Sequence, residues 1–351
     1  MYKDCLFSDE GNLMMSILPI FIPHAGCPHQ CVFCNQKTIS GQRTAAIAGA
    51  KEQINRWLTW LKPSEANEAA FYGGSFTGLD LELQQQLLEL TDQLLAQKII
   101  GSVRLSTRPD YINATELEFL REHGVNLVEL GVQSLDDSVL AAAERGHNAA
   151  QVDNAVALLR QYKFKVGLQL MVGMPGQSFD SLKETAAKVV DLKPDIARIY
   201  PLLVIAGTPL EQTFNAGLFT PLSLEEAVEQ SAYLYNELEN AGINVIRVGL
   251  QPDEELCSPG NIVAGPFHPA IGEMVKSRVL RSKLTPQIAK LSSAGEKALE
   301  IHCPQTMESK VRGQKNSNIV YWITSYNLAN LIVVHSKDNC LLVTAAHTRQ
   351  Q

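Results

Sequence analysis

The chain has 351 residues, 45% of them hydrophobic and 19% charged, and a net charge of −7. That composition supports a packed core and excludes a disordered chain, and the acidic balance excludes a uniformly basic nucleic-acid surface. Seven cysteines are an odd number, too sparse for a disulfide-stapled secreted fold, and point to a reducing cytoplasm.

In chain order, the first apolar run is LMMSILPIFI (13–22). It is too short to span a bilayer, and Asp9 and Glu10 precede it where a signal peptide carries positive charge, so a buried strand and no membrane segment are expected. Further strands are expected at 68–74, 102–107, 126–133, 165–173 and 196–204, with ILPIFI (17–22) as the first. They are rich in Val, Ile, Leu and aromatics, and several lack polar alternation, as strands covered on both faces do.

Helices are expected between them. Leu83, Leu87, Leu90 and Leu94 make one face of a helix over 80–97. A Thr115-x-x-Glu118 capping box opens 114–124, 178–194 ends near a proline, and Ser223-x-x-Glu226 opens 223–242. Six βα units in series predict an α/β domain with a parallel sheet, whose ligands gather at the C-terminal strand ends.

After residue 242 the rhythm changes. A strand (INVIRVGL, 243–250), a Pro/Gly-rich stretch (251–272) and a helix to about 283 are expected, then strand, helix, strand, strand. The predicted organisation is a core domain over 1–242 and a smaller α+β extension over 243–351.

Directly after the first strand stands HAGCPHQCVFCNQ (24–36), with Cys27, Cys31 and Cys34. Structural zinc needs four ligands, and neither His24 nor His29 has a partner at finger-like spacing. Bacterial ferredoxin runs use a tighter spacing and a nearby fourth cysteine. A 4Fe-4S cube held by three thiolates leaves one iron open to a small chelating molecule. Pro23, Gly26 and Pro28 keep the loop out of regular structure. Cys5, Cys257, Cys303 and Cys340 are scattered, so no second cluster is expected.

Cys-x3-Cys-x2-Cys, with aromatic Phe33 before the last cysteine, resembles the radical S-adenosylmethionine (SAM) superfamily. The resemblance implies a partial (β/α)6 TIM-like barrel and a 4Fe-4S cluster whose open iron chelates SAM. Reduction by a flavodoxin- or ferredoxin-type electron donor then cleaves SAM to methionine and a 5′-deoxyadenosyl radical that abstracts hydrogen from substrate.

Candidate SAM contacts end the later strands. In YGGSF (72–76), Gly73 and Gly74 offer carbonyls to the SAM ammonium, and Ser75 stands where the superfamily often carries Glu. In LSTRPDYI (105–112), Ser106 stands where related families carry a ribose-binding Glu. Pro109 keeps Arg108 out of helical geometry, leaving it either a cation in the site or a partner for Glu129 or Asp110. Gln133 suits a ribose diol, and Arg145 in ERGH offers a fork to the methionine carboxylate. Val172, Gly173, Met174 and Pro175 suit an adenine edge, although core packing equally explains Met171 and Met174.

STRPD, ELGVQS, RGH, MVGMPG and IYPLLVIAGTPLE (199–211), in this order over about residues 17–247, resemble the Elongator catalytic subunit and its bacterial relatives. They are more distantly similar to oxygen-independent coproporphyrinogen oxidases. No glycine-rich pyrophosphate loop follows residue 250, so acetyl-CoA chemistry is not expected of this chain alone. VAGPFHPAIGEMVKS (263–277) instead resembles the C-terminal extension of stand-alone bacterial relatives.

Residues 272–315 carry nine Lys and Arg against four Glu, a local basic segment in an acidic protein. With the resemblance, it makes tRNA or another RNA the expected substrate, DNA and membranes not being expected partners. Arg108, His268, Lys276 and Arg278 are the candidate substrate contacts, His268 equally suiting a helix N-terminus beside Pro269. A small metabolite or tetrapyrrole-like substrate, or a non-catalytic iron–sulfur module, are the alternatives.

Overall fold

A computed structural model of the protein describes residues 16–22, 27, 31–35, 46–252, 256–336 and 341–346. Cys5, Pro23, His24, Gly26, Pro28, His29 and Cys340 lie outside the described residues, as do residues 13–15 of the first apolar run. The chain divides into two compact units, one running to Pro269 and the other starting at Ala270.

The first unit is built on β1 (Ile17–Ile22), β2 (Glu68–Gly73), β3 (Ser102–Thr107), β4 (Val125–Gln133), β5 (Lys165–Val172) and β6 (Ile196–Pro201). After the two-residue β7 (Val204–Ile205), β8 (Asn244–Val248) completes the sheet. The order β1-β2-β3-β4-β5-β6-β8 is parallel throughout. Helices alternate with the strands: α1 (Ala46–Leu58), α2 (Leu81–Ala96), α3 (Ala114–Glu122), α4 (Asp137–Ala142), α5 (Ala149–Gln161), α6 (Phe179–Leu192), α7 (Pro209–Asn215) and α8 (Leu224–Asn240). This is the expected α/β partial TIM-like barrel, with one strand more than the six βα units. That strand is INVIRVGL: β8 pairs with β6, and the division between units falls after residue 269 instead of 242.

Strand period explains the two faces. Leu18, Ile20 and Ile22 of β1, Val103 and Leu105 of β3, and Val166, Leu168 and Leu170 of β5 are buried in the main core. Their alternates, Pro19, Phe21, Arg104, Ser106, Gln169 and Met171, line a cavity inside the sheet.

Local chemistry sets the helix ends. The Ser223–Glu226 capping box opens α8 as expected. The box expected at Thr115 is replaced by Asn113, whose side chain accepts from Glu116 N at 3.0 Å, because Asn is the stronger cap. The strand expected over 196–204 breaks at Pro201, and β7 pairs antiparallel with β9 (Ile262–Ala264).

α4 has a dense cap. Asp136 accepts from Ser138 N (2.9 Å), Ser138 Oγ (2.6 Å) and, on its other oxygen, Ser181 Oγ (2.7 Å). Those hydroxyl bonds hold its carboxyl at about 2. Asp136→Ala is expected to lower stability by about 1–2 kcal/mol, read from urea unfolding; a change within about 0.5 kcal/mol would show the cap to be redundant.

The second unit is α+β. β10 (Ala298–Cys303) lies between β11 (Asn330–His335), parallel to it, and β12 (Leu342–Ala345), antiparallel. α9 (Ile271–Ser293), α10 (Glu308–Arg312) and α11 (Ser317–Ser325) accompany them. Leu284, Ile288, Leu299, Ile301 and Trp322 form the core. α9, expected to end near 283, runs through Pro286. Leu280, Leu284 and Ile288 make one buried stripe across that point, and burying them outweighs the ~3 kcal/mol that a helix-interior proline costs. Among the described residues no helix is long and apolar enough to cross a membrane.

Candidate active site in the barrel

The cysteine loop follows β1 at the C-terminal edge of the parallel sheet and is pinned on two sides. Val32 N donates to Ala143 O at the end of α4 (3.2 Å), and Val32 O accepts from Leu210 N in α7 (2.8 Å). Asn35 Nδ2 reaches Ala206 O at 2.8 Å. Cys31 is 2% exposed, Cys27 and Cys34 are half-buried, and the three form no disulfide. Arg145 Nη1 donates to Cys31 Sγ at 3.1 Å, and Arg108 Nη1 stands 4.0 Å from Cys27 Sγ. Two buried guanidinium groups thus face two of the three sulfurs. Among the described residues no three His, Cys, Asp or Glu side chains converge as ligands of a single ion would.

Phe33 and Cys34 open onto a cavity of about 710 Å³ that Gly73, Ser106, Gln133 and Met171 also line. Gly73 has φ +115, and a Cβ there would collide with Ile22 O, so only glycine lets the end of β2 lie against β1. Gly74 is half-buried beside it. Ser75 is turned away: its Oγ bonds Thr107 Oγ1 at 2.8 Å and accepts from Arg108 N, tying β2 to β3. Gln133 adopts a left-handed backbone (φ +69) where the β4–β5 register shifts, a bulge that aims its amide into the cavity. Ser106 Oγ accepts from Gln169 Nε2 at 3.2 Å.

Other predicted residues have protein partners. Arg108 pairs with Asp110 (2.9 and 3.0 Å), not with Glu129. Arg145 Nη2 donates to Gly131 O. Val172 and Met174 bury their side chains in the core, so the Val172–Pro175 turn offers only backbone and the half-buried Pro175; Gln177 Oε1 closes it, accepting from Gly173 N at 2.7 Å. His268 is half-buried in the loop ahead of α9, two residues before its cap Ala270, and does not line the cavity. In the second unit Lys276 lies 3.9 Å from Glu273. Arg278 is 9% exposed. Arg281 stacks on Tyr321, and Arg312 pairs with Glu308.

Residues to which the motif reading gave no place in the cavity stand in the barrel wall. Glu129 is 1% exposed and accepts from Arg198 Nη2 (3.1 Å), with Arg198 Nε 2.6 Å from its other oxygen as a charge contact; Arg104 Nη1 is 3.8 Å away. Arg198 also reaches Tyr72 Oη at 2.9 Å. The signal was present: SVRLST, NLVELGVQ, KVGLQLMV, IARIYP and NVIRV each place a charged residue or glutamine inside an apolar strand.

His147 was also overlooked. It is nine-tenths buried, and although the Val132 backbone is near, neither ring nitrogen completes a hydrogen bond. Burial, then Arg145 and Arg108, depress its pKa from 6.5 to about 4. The folded chain therefore holds His147 neutral. The unfolded chain takes up the proton first on acidification, so stability contributed above pH 6.5 is lost as pH falls toward 4. The gap corresponds to about 3 kcal/mol at most. Urea unfolding between pH 7 and 4 is expected to show a shallower decline in His147→Phe than in the wild type; identical slopes would contradict this.

A parallel partial barrel with a three-cysteine loop at its C-terminal edge defines a class, and comparison with known proteins identifies it. The radical SAM superfamily matches residues 21–189 and the radical SAM C-terminal domain residues 194–281. The chain belongs to the radical SAM superfamily of enzymes. Within it, the relatives are Elongator-like. A tRNA uridine(34) acetyltransferase of Methanocaldococcus infernus is 28% identical over 260 residues, covering 62% of this chain and 49% of the relative. Elongator complex protein 3 of Saccharomyces cerevisiae is 31% identical over 144 residues, 40% of this chain and 26% of the relative. The solved structure of archaeal Methanocaldococcus infernus Elp3 with an N-terminal deletion superposes with a TM-score of 0.62 at 26% identity, over 78% of this chain and 64% of that one. The chain spans about half the length of the curated relatives it matches first.

Proposed function

We propose that Cys27, Cys31 and Cys34 hold a 4Fe-4S cluster, that the C-terminal strand ends bind SAM beside it, and that the substrate is RNA, in the first place tRNA. The observation that carries this is the shared cavity: Cys34 and Phe33 line the same space as Gly73, Ser106, Gln133 and Met171. The donor set fits the cluster. Three thiols stand on one pinned loop, and two of their sulfurs face guanidinium groups that can donate to cluster-bound sulfur.

When bound and reduced by an external electron donor, the cluster supplies the electron that splits SAM into methionine and a carbon-centred radical. The chain's own residues do the rest. Gly73 presents backbone carbonyl to an ammonium without side-chain hindrance, Gln133 and Ser106 hydrogen-bond a diol, and Phe33 and Met171 exclude water from the reacting face. The relatives' names support RNA as substrate. The basic segment supports it less, because Arg278 is buried and Arg312 paired. A cytoplasmic location follows from this reading.

The test is anaerobic reconstitution of the full chain with iron and sulfide, reduction, and incubation with SAM and tRNA from a strain lacking the gene. Expected are 5′-deoxyadenosine and an altered nucleoside in the digested tRNA. A reconstituted protein that never yields 5′-deoxyadenosine overturns the radical reading. Cleavage of SAM with unchanged nucleosides and salt-independent tRNA retention overturns the RNA reading alone.

A further inference from the structure

Three guanidinium groups line the barrel cavity: Arg104 from β3, Arg198 from β6 and Arg247 from β8. Two are compensated. Arg198 is bonded to Glu129, and Arg104 lies between Glu129 at 3.8 Å and Glu68 at 3.6 Å. Arg247 is not. Its Nε donates to Gly249 O at 2.9 Å, and among the described residues its terminal nitrogens meet no carboxylate and no other hydrogen-bond acceptor.

The backbone places this cation deliberately. Ala197 pairs with Val245, and a regular ladder would then set Arg198 opposite Ile246. A register shift occurs there instead, and Arg198 is paired with Arg247. A bulge of this kind re-aims a side chain. Its result is two like charges side by side on neighbouring strands, both facing the cavity, an arrangement that is unfavourable without a counter-charge. Gln169 pairs with Arg198 on the other side, so Gln169, Arg198 and Arg247 form one row of donors across three strands. Tyr200, one turn of the pleat along β6, lines the cavity too; packing raises its phenol above the ordinary value, which keeps it a donor.

We infer that Arg247, beside Arg198, forms an oxyanion subsite in the barrel and binds a carboxylate or phosphate group carried by the substrate. The inference rests on the function proposed above and on the substrate entering the same cavity as SAM. It adds a requirement which that reading lacks: the substrate, or the part of it that enters the barrel, bears an anionic oxygen group within reach of β8. Planar guanidinium forks recognise both oxyanions in the same bidentate manner, so the chemistry is shared.

Arginine-specific labelling of the intact wild-type chain with phenylglyoxal, followed by peptide mass spectrometry, tests this without requiring SAM cleavage. Arg247 is expected to react readily and to be protected by an oxyanion. At ten times its dissociation constant the ligand should slow labelling about tenfold. Exposed Arg56, on α1, is the unprotected control. Protection by inorganic phosphate and not acetate assigns a phosphate-bearing substrate, and the converse assigns a carboxylate. Protection by both supports the subsite without choosing between them. If neither ion, nor uridine monophosphate, slows labelling of Arg247, the subsite does not exist. Arg247→Gln should also abolish calorimetric binding of the protecting ion, with Arg247→Lys retaining part of it. Wild-type 5′-deoxyadenosine formation reports separately on the radical reading, so loss of one result leaves the other standing.

Discussion

Cys31→Ala is expected to leave the protein unable to assemble the proposed iron–sulfur centre, with 5′-deoxyadenosine formation reduced by more than the roughly 10- to 100-fold that outer contacts to a metal site contribute. Cys31 is the most buried of the three thiols and accepts the 3.1 Å bond from Arg145. Removing the sulfur deletes a proposed ligand and leaves Arg145 Nη1 without its acceptor. The variant should therefore melt below the wild type even before iron is added. Arg145→Gln keeps all three thiols and should fall within that 10- to 100-fold range, which separates a ligand from a residue that orients one. Cys257, exposed and remote from the loop in sequence, is the control: Cys257→Ser should keep wild-type iron content. Cys31→Ala with full iron content and SAM cleavage would remove the loop from the chemistry.

The three cysteines were legible because their spacing lies within eight positions of one loop. Their electrostatic surroundings were not, because Arg145 is 114 residues from Cys31 and Arg108 is 81 from Cys27. Parallel pairing of seven strands creates those neighbours, and nothing local announces it. The strands themselves were readable from apolar runs bounded by turns, since each outer face is buried under helices. The helix ends were readable where a cap dominates, as at Ser223. They were misread where a better cap stood two residues upstream, as at Asn113.

The strand expected at 243–250 is present as β8, but its place in the barrel sheet was not legible for a related reason. NVIRV has strand character, but whether it closes the barrel edge or opens the extension depends on which edge it finds. Burial of Val245 in the main core decides that. Similarly, Pro286 argues for a helix end only while the flanking leucines are unplaced. Charged residues within strands carried information of another kind. An Arg or Glu inside an apolar run is costly unless it faces a partner or a solvent-filled cavity, so four such strands in one sheet, with Gln169 in a fifth, announce a polar interior. Which charge pairs with which follows only from register: Glu129 sits within reach of β3 and β6 because Ser106 and Gly167 are its sheet neighbours and Gly167 has no side chain in the way. A Cβ at Gly167 would lie 2.9 Å from Glu129 Cγ.

That pairing sets the largest expected stability effect. Glu129→Gln should destabilise the protein by about 3–5 kcal/mol, because a buried carboxylate that serves two guanidinium groups is replaced by a neutral amide. For a domain of this size, that is a fall in melting temperature of about 10 °C. The loss comes from stranding Arg198 and Arg104, not from the intrinsic strength of the ion pair, since buried pairs give back much of their attraction as desolvation. A double variant separates the two. Glu129→Leu with Arg198→Met removes carboxylate and partner together, and it should melt above Glu129→Gln even though it has lost more polar contacts. Arg104 keeps its 3.6 Å approach to Glu68 in that background. If the double variant melts below the single one, the triad contributes through attraction instead. If Glu129→Gln melts within about 1 °C of the wild type, water already solvates both arginines and the polar interior is an open cavity in place of a buried network.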